Sequence, residues 1–314
     1  MTGISTIYSP ERATNHLQAM PAPSPALNVV RQAMLIPPEP TLTPQSYTFL
    51  ANLVYERSRI RLGPDRQPLV TGRLAQRLRS LGIGSFEEYC GLLESSSGLE
   101  EIGALIDLIS TNHTQFFREA AHYEILARHV LPGLAKRRGR DWRPLQIWSA
   151  AASSGEEAYS LAIVLAEYCR TQPAFSWQVH ASDISQRMLD RCRAGIYEAD
   201  KVNLPDDGLL HRYFQRGFGH REGCYRIKPE LRQHVLVEHI NLFQQTYPLP
   251  GEQDVIFCRN VMIYFDPESR QELIDRLTGM LAPGGCLFVG HAESLLGMRH
   301  KLRAACPSVY VRPE

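Results

Sequence analysis

The chain has 314 residues, with 34 Lys and Arg against 33 Asp and Glu, a formal net charge of +1. That length calls for one large or two modest domains, and the charge balance excludes a global basic field that would draw the protein to nucleic acid or an anionic membrane surface. Seven cysteines without a CxxC pair argue against a zinc site or a secreted disulfide framework, and no apolar run reaches the roughly 18 residues of a membrane span.

The N-terminus lacks the basic region and apolar core of a signal peptide, so a cytoplasmic protein with reduced thiols is expected. Residues 1–40 contain "MPAPSPAL" and "LIPPEPTLTP", where proline is too dense for helix or sheet, and read as a flexible extension. Over 41–110, Phe49, Leu50, Leu53 and Val54 and then Leu74, Leu78 and Leu81 recur at helical spacing. "TPQSYTFL" opens with a cap residue and proline, and "LRSLGIGSFEEYCGLLES" fits helix, glycine turn, serine cap and second helix. A small all-α domain is predicted.

After residue 143 short apolar runs alternate with helical stretches. "LQIWSA", "WQVHASDI", "HVLVEHINL", "DVIFCRNVM" and "GCLFVGHAES" read as strands, with "EEAYSLAIVLAEYC" and "SRQELIDRLTGML" as helices between them. This alternation predicts an α/β doubly wound sheet with a mainly parallel core. The interval 196–238 is too long for one crossover, and "RGFGHREGCYRIKPEL" alternates around glycines, so a small inserted antiparallel subdomain is expected. "AKRRGR" at 135–140 reads as a solvated loop, and His180 and His291 as packed or hydrogen-bonded strand histidines.

"WSAAASSGEEAYS" at 148–160 joins the first strand to a helix through a loop poor in side chains. Such a loop lets a ligand approach backbone amides and a helix N-terminus beyond the strand ends. It lacks GxGxxG, and its acidic residues would repel a pyrophosphate but suit the sulfonium and amino groups of S-adenosylmethionine. Asp183 ends the next strand, where a carboxylate can accept hydrogen bonds from both hydroxyls of a ribose.

Together with "WSAAASSGEEAYS", the stretches "TNHTQFFRE" (111–119), "FCRNVMIYFD" (257–266) and "GGCLFVGHAES" (284–294) resemble the CheR-type chemotaxis receptor (protein-glutamate) O-methyltransferases over about 43–312. The resemblance implies a Rossmann-like class I methyltransferase sheet over 111–314, an inserted β-subdomain able to dock receptors, and an N-terminal all-α domain. It implies S-adenosylmethionine as cofactor, S-adenosylhomocysteine as product, and chemoreceptor cytoplasmic helices as partners in chemotaxis. Carried over by motif, Asn112, Thr114 and Arg118 resemble a cofactor-contacting segment, with Arg118 also near the substrate carboxylate. Glu156 resembles the acidic residue of the first loop, Asp183 the ribose ligand, Asn241 and Leu242 the segment beside the adenine, and Arg259 and Asn260 the pair ending the fourth strand. Tyr264 resembles the tyrosine lining the reaction site. His113 stands where the family varies, and Ala292 replaces a common serine.

The chemistry needs no strong base, because a glutamate with reference pKa near 4.3 is ionised at neutral pH. No metal is expected. A non-catalytic S-adenosylmethionine-binding receptor scaffold is the alternative, against which Arg118 and Tyr264 count. Arg57, Arg59, Arg61, Arg66, Arg73, Arg77 and Arg79 suggest a basic face on the helical domain, either merely solvated or a docking face for an acidic receptor bundle. On the inserted subdomain, Arg212, Arg216 and Arg226 are candidates for the acidic groups of a receptor tail.

Overall fold

The computed structural model describes residues 40–138, 143–172 and 176–314; the expected extension over 1–40 lies, apart from Pro40, outside them. Four helices come first: α1 (Pro44–Ser58), α2 (Gln67–Leu81), α3 (Phe86–Glu94) and α4 (Gly98–Ile109). Their starts follow the capping signals. The Thr43 side chain accepts from the Ser46 amide with Pro44 in the first turn, and Ser85 accepts from the Glu88 amide while the Gly84 amide donates to the Glu88 carboxylate. Leu50, Val54, Leu74, Leu78, Phe86 and Leu105 are sealed between these helices.

A helix that the sequence did not announce follows. It runs as α5 (Ala121–Ile125), a π turn over Leu126–Val130, and α6 (Leu131–Arg138). "LPG" at 131–133 reads as a breaker, yet the π turn, in which the Leu131 amide donates to the Leu126 carbonyl, carries the chain past Pro132. "AKRRGR" is corrected accordingly: residues 135–138 end α6, and Arg137 Nη2 donates to the Gly284 carbonyl at 2.6 Å. Gly139 and Arg140 lie outside the described residues.

The remainder runs β1 (Leu145–Ala150), α7 (Glu156–Thr171), β2 (Trp177–Asp183), α8 (Gln186–Ala194), β3 (Ile196–Glu198), α9 (Asp207–Tyr213), β4 (Phe214–Arg216), β5 (Cys224–Ile227) and α10 (Pro229–Arg232). It ends with β6 (Val235–His239), β7 (Gln253–Cys258), α11 (Pro267–Met280), β8 (Leu281–Val289), β9 (Arg303–Cys306) and β10 (Val309–Val311). The main sheet has the order β6-β2-β1-β7-β8-β10-β9, parallel through β8 and antiparallel at β10 and β9. Both faces are covered, so side chains alternate between two apolar layers: Val255 and Phe257 pack on the α7 side, Ile256 and Cys258 on the α11 side. Phe257 stacks on Phe288 with ring centroids 4.3 Å apart.

This is the Rossmann-like methyltransferase sheet that the resemblance implies, with three differences from the expected elements. The antiparallel insertion, of order β3-β5-β4, ends at Ile227, because Val235–His239 pairs with β2 as the main sheet's edge. β7 and β8 stop at Cys258 and Val289, earlier than their apolar runs suggest. The Glu293 carboxylate accepts the Asn260, Met262 and Gly290 amides at 2.6, 2.7 and 2.8 Å and draws both chains out of the ladder. The β9–β10 hairpin was not anticipated, since exposed "RAAC" carries no alternation.

The loop after β1 needs small residues for a steric reason. Gly155 has φ +99°, and a Cβ there would lie 2.5 Å from Cys192 Sγ and 3.0 Å from the Tyr197 hydroxyl, both on buried residues. Gly155→Ala should therefore lower stability by about 1–3 kcal/mol, from strained backbone and a clash that the packed α8 cannot relieve. Calorimetry should show a fall in Tm of about 2–4 °C per kcal/mol. An unchanged Tm would show that the loop relaxes freely.

Candidate functional site

The strand order reverses between β1 and β7, which opens a crevice beyond the carboxyl ends of the strands. A cavity of about 460 Å³ occupies it. Ala151 and Ser153 after β1, Asp183 ending β2, Asn241 and Leu242 after β6, and Arg259 and Asn260 after β7 form its inner wall. Asn112, Thr114 and Arg118 lie across it, Tyr264 stands at one side, and Ile60, Arg61 and Leu62 from the helical unit close it. Every predicted site residue except Glu156 borders this one cavity.

Glu156 is corrected by helix geometry. Successive residues on a helix point about 100° apart, so two adjacent acids cannot share a direction. Glu157 borders the cavity, whereas Glu156 is buried off its wall and accepts from Ser154 Oγ at 2.7 Å. Burial pushes both carboxyls above the ordinary range.

Asp183 holds the first loop in place. Its Oδ2 accepts the Ser153 amide at 2.8 Å and its Oδ1 the Ser185 amide at 2.9 Å, and each oxygen retains a lone pair for a ligand hydroxyl. Burial raises its pKa, against the pull of those amides. Ser153 Oγ in turn donates to the Asn112 carbonyl at 3.1 Å, tying the segment across the mouth to the loop beneath.

Arg259 has a side chain only 1% exposed. Its Nη2 lies 2.9 Å from Glu119 Oε2 and its Nη1 3.2 Å from Glu157 Oε2, and Nη2 also donates to the Arg118 carbonyl. Its guanidinium is thus already committed, so it braces the wall that it borders. Asn260 does likewise, its Nδ2 donating to Glu119 Oε1 at 3.2 Å. Burial opposes the charge of Glu119, but Arg259 and Asn260 outweigh it and hold that carboxyl below its ordinary pKa. Asn241 is also spoken for: its Nδ2 donates to the Arg57 carbonyl at 2.7 Å and its Oδ1 accepts the Phe243 amide.

Arg118 and Tyr264 differ. Arg118 donates to the His113 carbonyl at 3.0 Å and has no carboxylate within ion-pair distance among the described residues. The half-buried Tyr264 ends a short turn, Met262–Tyr264, and its hydroxyl has no partner among the described residues. Five of the seven non-glycine residues with positive φ among the described residues surround this site: Phe117, Glu119, Ala151, Ser153 and Asn260. Backbone held in that region persists only where its surroundings enforce it.

Glu119 and Glu293 carry no signal in the sequence that would mark them as site residues, and the acidic pair of the first loop, Glu156 and Glu157, does not show which of the two borders the cavity. Glu119, Glu157 and Glu293 all lie within the family-like motifs, but acids in loops and a first helical turn bear no sign of the arginine or the backbone amides they will meet. His180 is as expected, with Nε2 2.8 Å from Gln146 Oε1 inside the sheet; His291 is not, being exposed on the turn after β8.

The family model for the CheR methyltransferase SAM binding domain matches residues 112–311, and that for the CheR methyltransferase all-alpha domain matches 45–110. The chain is 42% identical over 261 residues to a chemotaxis protein methyltransferase of Escherichia coli (strain K12), spanning 83% of this chain and 88% of that protein. It is 40% identical, with the same coverage, to the chemotaxis protein methyltransferase of Salmonella typhimurium (strain LT2). It is 39% identical to chemotaxis protein methyltransferase 2 of Pseudomonas aeruginosa PAO1, over 85% of this chain and 93% of that one.

The depressed pKa of Glu119 sets a pH dependence. Its contribution to stability is complete above its unfolded pKa of about 4.3 and is lost as the pH falls through the lower folded value. Glu119→Gln should cost about 1.5–3 kcal/mol in urea unfolding at pH 7, as expected for hydrogen bonds to a charged group. The gap from the parent should close toward pH 3. A gap of equal size at both pH values would mean that shape, and not charge, holds Arg259.

Proposed function

Because the chain belongs to the CheR methyltransferase family, we propose that it methylates glutamate side-chain carboxylates on the cytoplasmic helices of chemoreceptors, using S-adenosylmethionine and leaving S-adenosylhomocysteine. The observation that carries the proposal is one cavity with Asp183 on its inner wall and, across it, Arg118 without a carboxylate partner among the described residues.

The residues present fit the cofactor. The cavity volume falls in the range of about 300–1,000 Å³ usual for small-molecule sites. Asp183 has lone pairs for the ribose diol, the loop of Ala151 to Ser153 admits close approach, and Glu157 brings negative charge to a wall where a sulfonium would lie. When bound, the cofactor supplies a methyl group on cationic sulfur, which reacts with a nucleophile held in line with it.

The chain's own part is alignment. A substrate glutamate arrives ionised, so no general base is required. Arg118 forks onto that carboxylate, and the Tyr264 hydroxyl fixes its second oxygen or the cofactor. Orientation of this kind supplies up to roughly 7–11 kcal/mol. The Arg259 bond to the Arg118 carbonyl keeps the Arg118 backbone in place, so Arg259 is a positioning residue. Charge is neutralised as the ester forms, and the Ile60 to Leu62 strip favours the step by limiting water.

For the partner, the helical unit contributes Arg61 and Arg66 at the cavity rim, beside the expected path of an acidic helix. Arg73 and Arg77 belong elsewhere. Arg73 Nη1 donates to the carbonyls of Leu108, Ile109 and Ser110, and Arg77 grips Glu101. No described helix is long and apolar enough to cross a membrane. A cytoplasmic location is part of the proposal, since the substrate helices lie there. On the inserted sheet, β4 is an edge strand, with Arg216 on it, Arg226 on β5, and Phe218 86% exposed at the turn between them. A receptor tail adding a strand there would tether the substrate. Arg212 is not free for it, because it pairs with Glu167 at 3.0 Å.

Asp183→Ala should weaken binding of S-adenosylmethionine and S-adenosylhomocysteine alike by about 1.5–3 kcal/mol in calorimetry, since both carry the ribose. Arg118→Ala should raise the barrier to receptor methylation by roughly 2–5 kcal/mol, more than it weakens cofactor binding, with Tyr264→Phe milder. Release of methanol in base would identify the ester, and wild-type turnover by Arg118→Ala would end the proposed role. Separately, replacing the turn at 217–223 and Phe218 with a short loop should leave cofactor binding intact and slow methylation only of receptors with a tail. Equal slowing on tail-less receptors would exclude tethering.

A further inference from the structure

We propose that Glu119, His122 and His291 form a binding site for one divalent transition ion of the zinc class, and that its occupancy slows methyl transfer. The three donor atoms lie within 4.8 Å of one another, brought together from the start of α5 and the turn after β8. His122 is the pointed observation. It is 1% exposed, and neither ring nitrogen has a hydrogen-bond partner among the described residues. Its Nδ1 faces Glu119 Oε2 at 3.4 Å, and its ring sits edge-on to Phe288 and His291, with centroids 5.6 and 4.8 Å away. A buried neutral ring whose lone pair meets no donor calls for an explanation, and an ion bound at that one nitrogen supplies it.

The chemistry of the donors suits such an ion. Burial, aided by the nearby Arg259, lowers the His122 pKa to about 4, so the ring is neutral at physiological pH and offers a lone pair. Two imidazoles and one carboxylate favour zinc, cobalt, nickel or copper over magnesium or calcium. Bonds of about 2.0–2.2 Å in a tetrahedron place donors roughly 3.3–3.6 Å apart, so the widest pair must draw in by about 1.2–1.5 Å. His291 is exposed and able to make that movement, and the fourth position would be left to water. The cysteine spacing of the chain could not disclose a site built from these residues.

Coupling to the reaction follows from Glu119. Its Oε2 is 2.9 Å from Arg259 Nη2, and its Oε1 takes Asn260 Nδ2. An ion competes with the guanidinium for that carboxylate, while Glu157 retains Arg259. The brace on the Arg118 carbonyl then loosens. This coupling rests on the methyltransferase reading; the binding site itself does not.

The experiment titrates the full chain with zinc and with cobalt by calorimetry, following the cobalt visible spectrum. One ion per chain is expected, with affinity reduced at least about tenfold by His291→Ala and by His122→Phe, the latter retaining an aromatic ring. Receptor methylation by the parent should fall as zinc fills the site and recover with a chelator. Both variants should keep the metal-free rate and resist zinc. Absence of saturable one-to-one binding, or equal affinity in His291→Ala, would overturn the site. Full occupancy with an unchanged rate would overturn the coupling, and because binding is read without turnover, a failed methylation assay leaves that arm intact.

Discussion

Arg259 lies buried between Glu119 and Glu157, and the geometry of the whole site depends on that contact. A guanidinium taken out of water costs several kcal/mol unless its charge and its donors are met. Here two carboxylates and the Arg118 carbonyl meet them, and the Tyr123 and Phe257 rings lie 5.7 and 5.6 Å from its centre. These partners come from the stretch leading into α5 and from α5 itself, from α7 and from β7, three parts of the chain with no local reason to meet. Satisfying one buried cation brings the Arg118 segment across the ends of β1 and β7. Positive φ at Phe117 and Glu119 is the local strain this placement entails.

Around that contact, the cradle is assembled from carboxylates that bind backbone amides. Asp183 takes two amides of loops after β1 and β2, and Glu293 takes three from the loops after β7 and β8. Charged acceptors make the stronger class of hydrogen bond, so four loops are held by two side chains. The wall is thus held by contacts within the protein itself, and such preorganisation lowers the entropy that a productive geometry would otherwise cost. Among the described residues the Arg118 guanidinium and the Tyr264 hydroxyl keep unused donor capacity, and Asp183 keeps unused acceptor capacity, whereas Arg259, Asn260 and Asn241 are committed within the protein.

The helical unit is part of the site and not an appendage. Ile60 packs against both the helical core and the α11 side of the sheet. The Arg61 amide donates to the Tyr264 carbonyl at 3.0 Å, and Asn241 reaches the Arg57 carbonyl. The unit therefore shapes the cavity rim and helps to set Tyr264. Its arginines serve two ends, since Arg73 and Arg77 stabilise the α4 terminus and a buried glutamate, while Arg61 and Arg66 face the cavity.

By itself the sequence determined the helix caps at Thr43 and Ser85, the alternation that makes a two-faced sheet, the small-residue loop, and Asp183 at a strand end. These are legible because each depends on neighbours within a few positions, where period, cap and turn chemistry act. Family motifs extended that reading to Asn112, Thr114, Arg118 and Tyr264, which do share one cavity. Tertiary structure alone decided that Glu157 and not Glu156 faces it, that Arg259 is held as a brace, that Arg73 and Arg77 are consumed within the helical unit, and that the helix over 121–138 passes Pro132. Each of these turns on which distant group a charge or a backbone amide meets. Burial makes that pairing compulsory, yet pairs such as Glu119 with Arg259, 140 positions apart, leave no periodic trace in the chain.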